Sequence, residues 1–297
     1  NSSAQVLDVR GRLFLIDCGE GAQRQFCRQH LSFERVDAIF ISHIHGDHIF
    51  GLFGLLSTLG LATRRAGIRI FGPNSLGPVL KFFLSYFGEQ LGITIDFTPV
   101  KAKSPEVIFE NKFLTVEAFP LNHRIETYGY LFREKTPQLN VRKAAIEEYG
   151  LGIAEICSLK NGEDLVRTDD DGSPELRVPN EELTYLPYRP RAFAYCSDTA
   201  PFPELPTWVR DVDLLYHETT YMAGLEKEAA ARYHSTTLQA AQCALNAGAG
   251  KLIAGHYSSR YRDTAALLAE LRSVFPNSFA ANDGDVFDVP LDKRAEQ

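Results

Sequence analysis

The sequence is poor in cysteine, in long apolar runs and in excess charge of either sign. Its 297 residues include five cysteines, and no pair of them has CxxC spacing. So few cysteines exclude a disulfide-rich scaffold and favour a reduced, cytoplasmic protein. The longest apolar run, residues 49–62, is interrupted by glycine, serine and threonine and is shorter than the roughly 20 residues that a bilayer span needs. We therefore expect no membrane association, and we see no signal peptide pattern.

The overall charge argues at first against a nucleic-acid partner. The chain has 31 basic and 38 acidic residues, a net charge of −7, whereas proteins that bind phosphate backbones are usually basic. Most of this charge is local: residues 141–186 contain five basic and eleven acidic residues, a net of −6, which leaves −1 for the remainder. The net charge therefore does not exclude RNA.

Short β-branched and aromatic runs alternate with helical patterns along the chain. We expect strands at 12–17, 38–43, 68–71, 93–97, 113–120, 128–133, 192–197, 213–217 and 251–256, and helices at 21–28, 47–61, 75–87, 236–247 and 263–275. Ser235 is the expected N-cap of the fourth helix. Such interleaving predicts an α/β fold, here a single domain over 1–297. Residues 141–186, rich in glycine, proline and acidic residues, are expected to form an inserted, loop-rich acidic excursion.

A dense group of metal-ligand types follows the apolar strand that ends near residue 41. The stretch His43-Ile44-His45-Gly46-Asp47-His48 supplies three imidazoles and a carboxylate at the end of this strand, where α/β proteins place their sites. If the loop is extended, His43, His45 and Asp47 point the same way. Imidazole with carboxylate suits zinc, and this many ligands can hold two ions.

Three more polar residues also follow apolar strands. They are His123, Asp198 and His256. Each alone is more typical of a hydrogen-bonded loop residue, but their convergence at strand ends favours ligands of the same metal site. His30 lies in a polar turn without this context and is expected at the surface.

The pattern resembles the metallo-β-lactamase superfamily, which has an HxHxDH motif followed by a distant His, an Asp and a last His. The resemblance implies a four-layer αβ/βα sandwich with a dinuclear metal site at the edge of the sheets. The motif alone leaves lactamases, thioesterases, phosphodiesterases and nucleases open.

Further stretches narrow the resemblance to the ribonuclease Z family of tRNA 3′-processing endonucleases. They are Asp17-Cys18-Gly19-Glu20-Gly21, Ser197-Asp198-Thr199, His217-Glu218-Thr219-Thr220, His234-Ser235-Thr236 and Gly255-His256-Tyr257-Ser258-Ser259-Arg260-Tyr261. The resemblance implies a zinc-dependent endoribonuclease that removes the 3′ trailer from precursor tRNA and leaves a 3′-hydroxyl. It also implies a homodimer.

The resemblance assigns roles to individual residues. Two Zn²⁺ ions per chain, with Mn²⁺ possible, would be held by one set of His43, His45, His123 and Asp198 and a second set of Asp47, His48, His256 and the shared Asp198. A hydroxide between the ions would attack the phosphodiester, with Asp47 orienting it and accepting its proton. Asp17 would support the ligand loops without touching metal.

The same resemblance suggests how the leaving group and phosphate are handled. His234 would be the general acid, oriented by Glu218. Its alternative is a structural role as a cap partner at the N-terminus of the helix expected at 236–247. Arg260 could instead form a surface salt bridge, and His217 is expected to be structural. The residues implied in phosphate binding are Ser235, Thr236, Ser258 and Arg260.

Two departures from the family pattern matter. The family's first strand and glycine-rich opening loop are not recognisable before Ser2, so we expect an N-terminal strand to be missing. The family's basic tRNA-binding arm corresponds to the acidic residues 141–186, which cannot act as an electrostatic clamp. Two alternatives therefore stay open: a hydrolase of a small phosphodiester, and a non-catalytic RNA-binding or assembly subunit.

Overall fold

The computed structural model describes residues 2–62, 67–169, 171–172 and 174–292. The described residues fall into two compact units, one within 2–133 and 192–287 and one within 134–191 and 288–292. Among the described residues, no helix has both the length and the apolar character to cross a bilayer.

Two sheets form the first unit. Their strands are β1 (Gln5–Val9), β2 (Arg12–Ile16), β3 (Val36–Phe40), β4 (Gly67–Pro73), β5 (Thr94–Val100), β6 (Glu106–Glu110), β7 (Leu114–Pro120), β8 (Tyr128–Glu134), β13 (Ala192–Cys196), β14 (Leu214–Glu218), β15 (Leu252–Gly255) and β16 (Ser278–Ala280). The first sheet has the order β1-β2-β3-β4-β5, in which β1 and β2 are antiparallel and the remaining neighbours are parallel. The second sheet has the order β16-β15-β14-β13-β8-β7-β6, and its neighbours from β13 to β16 are parallel.

Aromatic side chains fill the space between these two sheets. Phe14 of β2 and Phe40 of β3 contact Phe109 of β6 and Phe132 of β8, with ring centroids 5.2–6.0 Å apart. The alternate residues of the same strands, such as Ile39, point to the opposite face and pack against helices. One face of each sheet therefore packs against the other sheet, and the opposite face packs against helices.

Helices cover the outer faces. Those on the first sheet are α1 (Ala22–Arg28), α2 (Gly46–Ile49), α3 (Leu52–Ala62) and α4 (Leu76–Phe87). Those on the second sheet are α8 (Leu205–Trp208), α10 (Thr237–Ala247) and α11 (Ala265–Val274). A short helix, α9 (Glu226–Ala231), precedes α10. The result is the predicted four-layer αβ/βα sandwich, which confirms the expected fold class.

The second unit has its own small core. It contains β9 (Asn140–Val141), α5 (Lys143–Tyr149), α6 (Ile153–Lys160), β10 (Leu165–Thr168), β11 (Pro174–Val178), α7 (Asn180–Leu183) and β12 (Thr184–Tyr185). Seven buried residues, among them Leu159 and Leu183, form its hydrophobic cluster. Residues 141–186, expected to be rich in loops, thus contain three helices and two antiparallel strand pairs.

The predicted elements all occur, and helices α8 and α9 and the elements of residues 140–185 occur in addition. Three further differences concern the first unit. The helix expected at 47–61 is interrupted at Gly51, where a Cβ atom would lie 2.1 Å from the carbonyl oxygen of Gly19. The N-cap of α10 is Thr236, whose side chain accepts from the N–H of Gln239, and not Ser235 as predicted. Strands β1, β6 and β16 were not predicted, because they are short and only partly buried.

Candidate metal centre

Every predicted metal ligand lies beyond the carboxyl end of a strand. His43 and His45 follow β3, His123 follows β7, Asp198 follows β13 and His256 follows β15. Asp47 and His48 belong to the single turn of α2. Because β13, β14 and β15 are parallel neighbours, their ends meet at one edge of the second sheet, and Tyr130 joins this edge to β3 by donating to the carbonyl of Ile41.

One group of four ligand atoms is formed by His43, His45, His123 and Asp198, and all of them lie within 4.8 Å of one another. Nε2 of His43 is 2.9 Å from Nδ1 of His45 and 3.6 Å from Oδ2 of Asp198. Nε2 of His123 is 3.5 Å from Nδ1 of His45 and 4.0 Å from the same carboxylate oxygen. The edges of a zinc tetrahedron with bonds near 2.0 Å are about 3.3 Å long, so these separations suit one ion.

A second group is formed by Asp47, His48 and His256. Nε2 of His48 and Nε2 of His256 are 3.4 Å apart, and Oδ2 of Asp47 is 3.5 and 3.4 Å from them. Oδ1 of Asp198 faces this group, at 3.6 Å from His48 and 3.1 Å from His256. The two carboxylate oxygens of Asp198 therefore face different groups.

The buried Oδ1 atom of Asp198 makes no hydrogen bond among the described residues, although the ring nitrogens of His48 and His256 lie near it. A buried carboxylate oxygen is costly unless a cation or donor compensates it. Together with the two ligand groups, this oxygen indicates that the donor set fits divalent metal ions.

Side chains behind the ligands fix their orientation. Asp17 is fully buried, and its Oδ2 lies 2.8 Å from Nδ1 of His48. The same carboxylate accepts from Ser42, through both its N–H and its hydroxyl, and from Tyr195. Because Asp17 engages Nδ1 of His48, the other ring nitrogen, Nε2, points toward Asp47 and His256 of the second ligand group. The contact agrees with the expected position of Asp17 behind the candidate ligands. Ser42 and Tyr195 were not predicted, since neither has a local sequence signal.

The acid–base properties of the ligands reflect this packing. Burial, helped by the neighbouring imidazoles, lowers the pKa of His43 far below its ordinary value. The pKa of His256 rises to about 10: burial opposes the rise, but the carboxylates of Asp198, Asp47 and Glu218 outweigh it. A neutral His43 can offer a ring nitrogen to a cation, and the carboxylates around His256 supply negative charge that favours a bound cation.

Beside the ligands, His234 forms a couple with the fully buried Glu218. Nδ1 of His234 lies 2.9 Å from Oε1 of Glu218, which also accepts from the backbone N–H groups of Thr199 and Ser235. Thr220 donates its N–H and hydroxyl to the other carboxylate oxygen and lies 2.9 Å from Nδ1 of His256. The couple is therefore rigidly held and joined to the second ligand group.

The four predicted phosphate-binding residues occupy different environments. Ser235 and Thr236 are fully buried; the Ser235 hydroxyl donates to the carbonyl of Thr199, and Thr236 is bonded to Gln239 in the helix cap. Their polar groups are thus engaged within the fold, which does not favour contact with a phosphate. Arg260, four residues beyond His256, is exposed and donates to the Ser258 hydroxyl at 3.1 Å.

The other two histidines singled out lie apart from the ligand groups. His217 is buried, with Nδ1 2.8 Å from the carbonyl oxygen of Glu218, and burial lowers its pKa. His30 is exposed. Neither belongs to a group of potential metal ligands among the described residues.

A helix-covered sandwich of two sheets with histidine and aspartate groups at one edge defines a metallo-β-lactamase fold. Solved structures agree: human tRNase Z, short form (ELAC1), has a TM-score of 0.68 and 23% identity over 97% of this chain and 93% of its own. The metallo-beta-lactamase fold protein YhfI from Bacillus subtilis has a TM-score of 0.66 and 17% identity over 97% and 92%. A family model described as anti-Pycsar protein Apyc1 matches residues 1–136.

Sequence relatives are more specific. Ribonuclease Z of Porphyromonas gingivalis strain W83 is 42% identical over 281 residues, which cover 95% of this chain and 91% of the relative. Ribonuclease Z of Bacteroides thetaiotaomicron is 39% identical over 95% and 88%. The chain belongs to the ribonuclease Z family and is a metal-dependent endoribonuclease of the metallo-β-lactamase fold.

Proposed function

We propose that this enzyme removes the 3′ trailer of precursor tRNA and leaves a 3′-hydroxyl on the tRNA. The observation that carries the proposal is the pair of ligand groups sharing Asp198, with the His234–Glu218 couple beside them. The names of the relatives, ribonuclease Z and tRNase Z, agree with this substrate.

The ligand groups would hold two Zn²⁺ ions, with Mn²⁺ as a possible substitute. His43, His45 and His123 would serve one ion, Asp47, His48 and His256 the other, and Asp198 both. Bound divalent ions would lower the pKa of a water molecule and neutralise charge on the reacting phosphate.

The protein's own groups would manage the protons. The Asp47 carboxylate is 52% exposed and can accept the proton of the attacking water. His234 would donate a proton to the departing ribose 3′ oxygen. Because Glu218 engages Nδ1 of His234, the other ring nitrogen is left for this transfer. Arg260, steadied by Ser258, is a candidate for contact with a phosphate of the substrate.

A pre-tRNA cleavage assay with mapped ends tests the proposal. Purified protein should contain two metal ions per chain and cut a 3′-extended pre-tRNA after the discriminator nucleotide, leaving a 3′-hydroxyl. Asp47→Ala should abolish cleavage because it removes a metal ligand that also accepts the proton. Failure to process any 3′-extended pre-tRNA with zinc or manganese would reject it.

A second candidate is hydrolysis of a small phosphodiester. It is favoured by the acidic residues 141–186 at the position of the family's basic arm, since they cannot grip phosphates electrostatically. Comparing kcat/KM for bis(p-nitrophenyl) phosphate and for pre-tRNA separates the two, because a strong preference for the small ester supports the second.

We also propose a homodimer in the reducing cytoplasm. The five cysteines are all free, which agrees with that compartment. Helix α4 exposes Phe82, Tyr86 and Phe87, an aromatic face unusual for a monomer. Light scattering should give twice the chain mass, and Phe82→Glu should lower it to the mass of one chain.

A further inference from the structure

One large apolar side chain at the metal centre has no part in the chemistry described above. Phe50 is 67% exposed, although its neighbours Ile49 and Leu52 are buried. It immediately follows α2, the turn that carries the ligands Asp47 and His48.

Helix geometry puts the Phe50 ring next to the entrance of the site. Residues three and four apart share a helix face, so Phe50 lies beside Asp47 and above Gly46. The ring rests on Gly46: a Cβ atom there would come within 2.3 Å of its Cε2 atom. Asp47 is the most exposed ligand of the second group, so the ring borders the side on which the ligands meet solvent.

The backbone under this ring is firmly held. Phe50 donates its N–H to the carbonyl of Gly46, Cys18 donates to the carbonyl of His48, and Gly51 donates to the carbonyl of Cys18. The exposure of Phe50 is therefore built into a rigid loop, and binding a flat ligand on it would cost little ordering of the chain.

We propose that Phe50 is a stacking platform for an unpaired nucleobase of the substrate, on the first nucleotide 3′ of the cut. The proposal rests on the proposed function. An exposed aromatic ring beside a nuclease centre suits base stacking, which needs no particular base identity. It also needs no basic arm, in keeping with the low positive charge of this chain.

The side of the cut follows from the position of the general acid. The departing 3′ oxygen belongs to the nucleotide 5′ of the cut, which must lie at His234. The rings of His123 and His256 lie 5.4 and 5.6 Å from the ring of His234, so the general acid stands between the two ligand groups. Asp47, which adjoins Phe50, would accept the proton of the attacking water, and in-line displacement puts the attacking water opposite the departing oxygen. The base that reaches Phe50 is therefore the one beyond the cut.

The test compares Phe50→Ala with Phe50→Trp, and with Leu245→Ala as a control that removes an exposed apolar side chain from α10. The substrates are a pre-tRNA with a normal first trailer nucleotide, one abasic at that nucleotide, and bis(p-nitrophenyl) phosphate. Phe50→Ala should lower kcat/KM about tenfold on the normal pre-tRNA, because it removes one stacking contact between a base and an aromatic ring. It should have no effect on the other two substrates, Phe50→Trp should restore activity, and Leu245→Ala should match wild type.

Several results would overturn the proposal. Phe50→Ala could lower kcat/KM equally on the abasic RNA or on the small ester, or its effect could depend on the base 5′ of the cut instead. Phe50→Ala could also change the oligomeric state, which would make Phe50 an interface residue. A binding readout separates this proposal from the proposed function. 2-Aminopurine at the first trailer position should change fluorescence on binding wild type but not Phe50→Ala, whether or not the RNA is cut, and no difference between the two would reject stacking.

Discussion

The metal centre and the unit of residues 134–191 use charge in opposite ways. At the centre, Asp17 and Asp198 are buried, and their partners Tyr195 and His43 come from distant parts of the chain. In the second unit, the pairs Arg167–Glu155 and Arg177–Asp164 are partly exposed and join residues 12 and 13 positions apart. Solvent and salt screen exposed pairs, whereas a buried charge must keep every partner. Removing a charged side chain in the second unit should therefore have a small effect, whereas removing one at the metal centre should have a large effect.

The largest expected effect is at Asp198, the residue shared by both ligand groups. Asp198→Asn removes the negative charge that faces both groups, so metal content measured by mass spectrometry should fall and cleavage should drop to background. Arg177→Gln is the control from the second unit and should retain full metal content. Full metal occupancy in Asp198→Asn would contradict the assignment of both groups.

The next effect is expected at His234. His234→Ala removes the proposed general acid and should lower kcat on pre-tRNA by about 10²–10⁴-fold. A p-nitrophenolate leaving group needs no proton, so hydrolysis of bis(p-nitrophenyl) phosphate should change far less. Equal losses on both substrates would instead indicate a role of His234 in metal binding, which its proximity to Asp198 and His256 makes a real alternative.

A smaller effect is expected one step behind the ligands. Asp17→Asn keeps the shape of the side chain but weakens its hold on Nδ1 of His48. Metal affinity, measured by competition with a chelator, should fall about 10–100-fold. Unchanged affinity would show that packing alone orients His48.

The smallest effect is expected in the second unit. Arg167→Gln breaks the exposed pair with Glu155 and should shift the unfolding midpoint by less than about 3 °C, with kcat/KM on pre-tRNA unchanged. Calorimetry and the cleavage assay measure the two. A marked loss of cleavage would remove the contrast between the regions and give this unit a direct part in binding substrate.

Local pattern was enough to predict an α/β fold and most of its elements, whereas the four-layer sandwich was implied by the resemblance to the metallo-β-lactamase superfamily. Apolar residues repeat with period two in strands such as β7, and the repeat indicates which of its side chains are buried. The strands missed, for example β6, bury few side chains and so lack that repeat. The break in the helix expected at 47–61 was also missed, because the close approach of Gly51 to Gly19 is a tertiary contact.

For the site, the sequence by itself determined the ligand types, because imidazoles and carboxylates at the ends of apolar strands have a recognisable local context. Only the tertiary structure decided which atoms meet: that the two oxygens of Asp198 face different groups, that Ser235 and Thr236 are buried within the fold, and that Phe50 is held exposed on Gly46. The physical reason is that burial and hydrogen-bond satisfaction depend on partners far away in the chain, which no local pattern encodes.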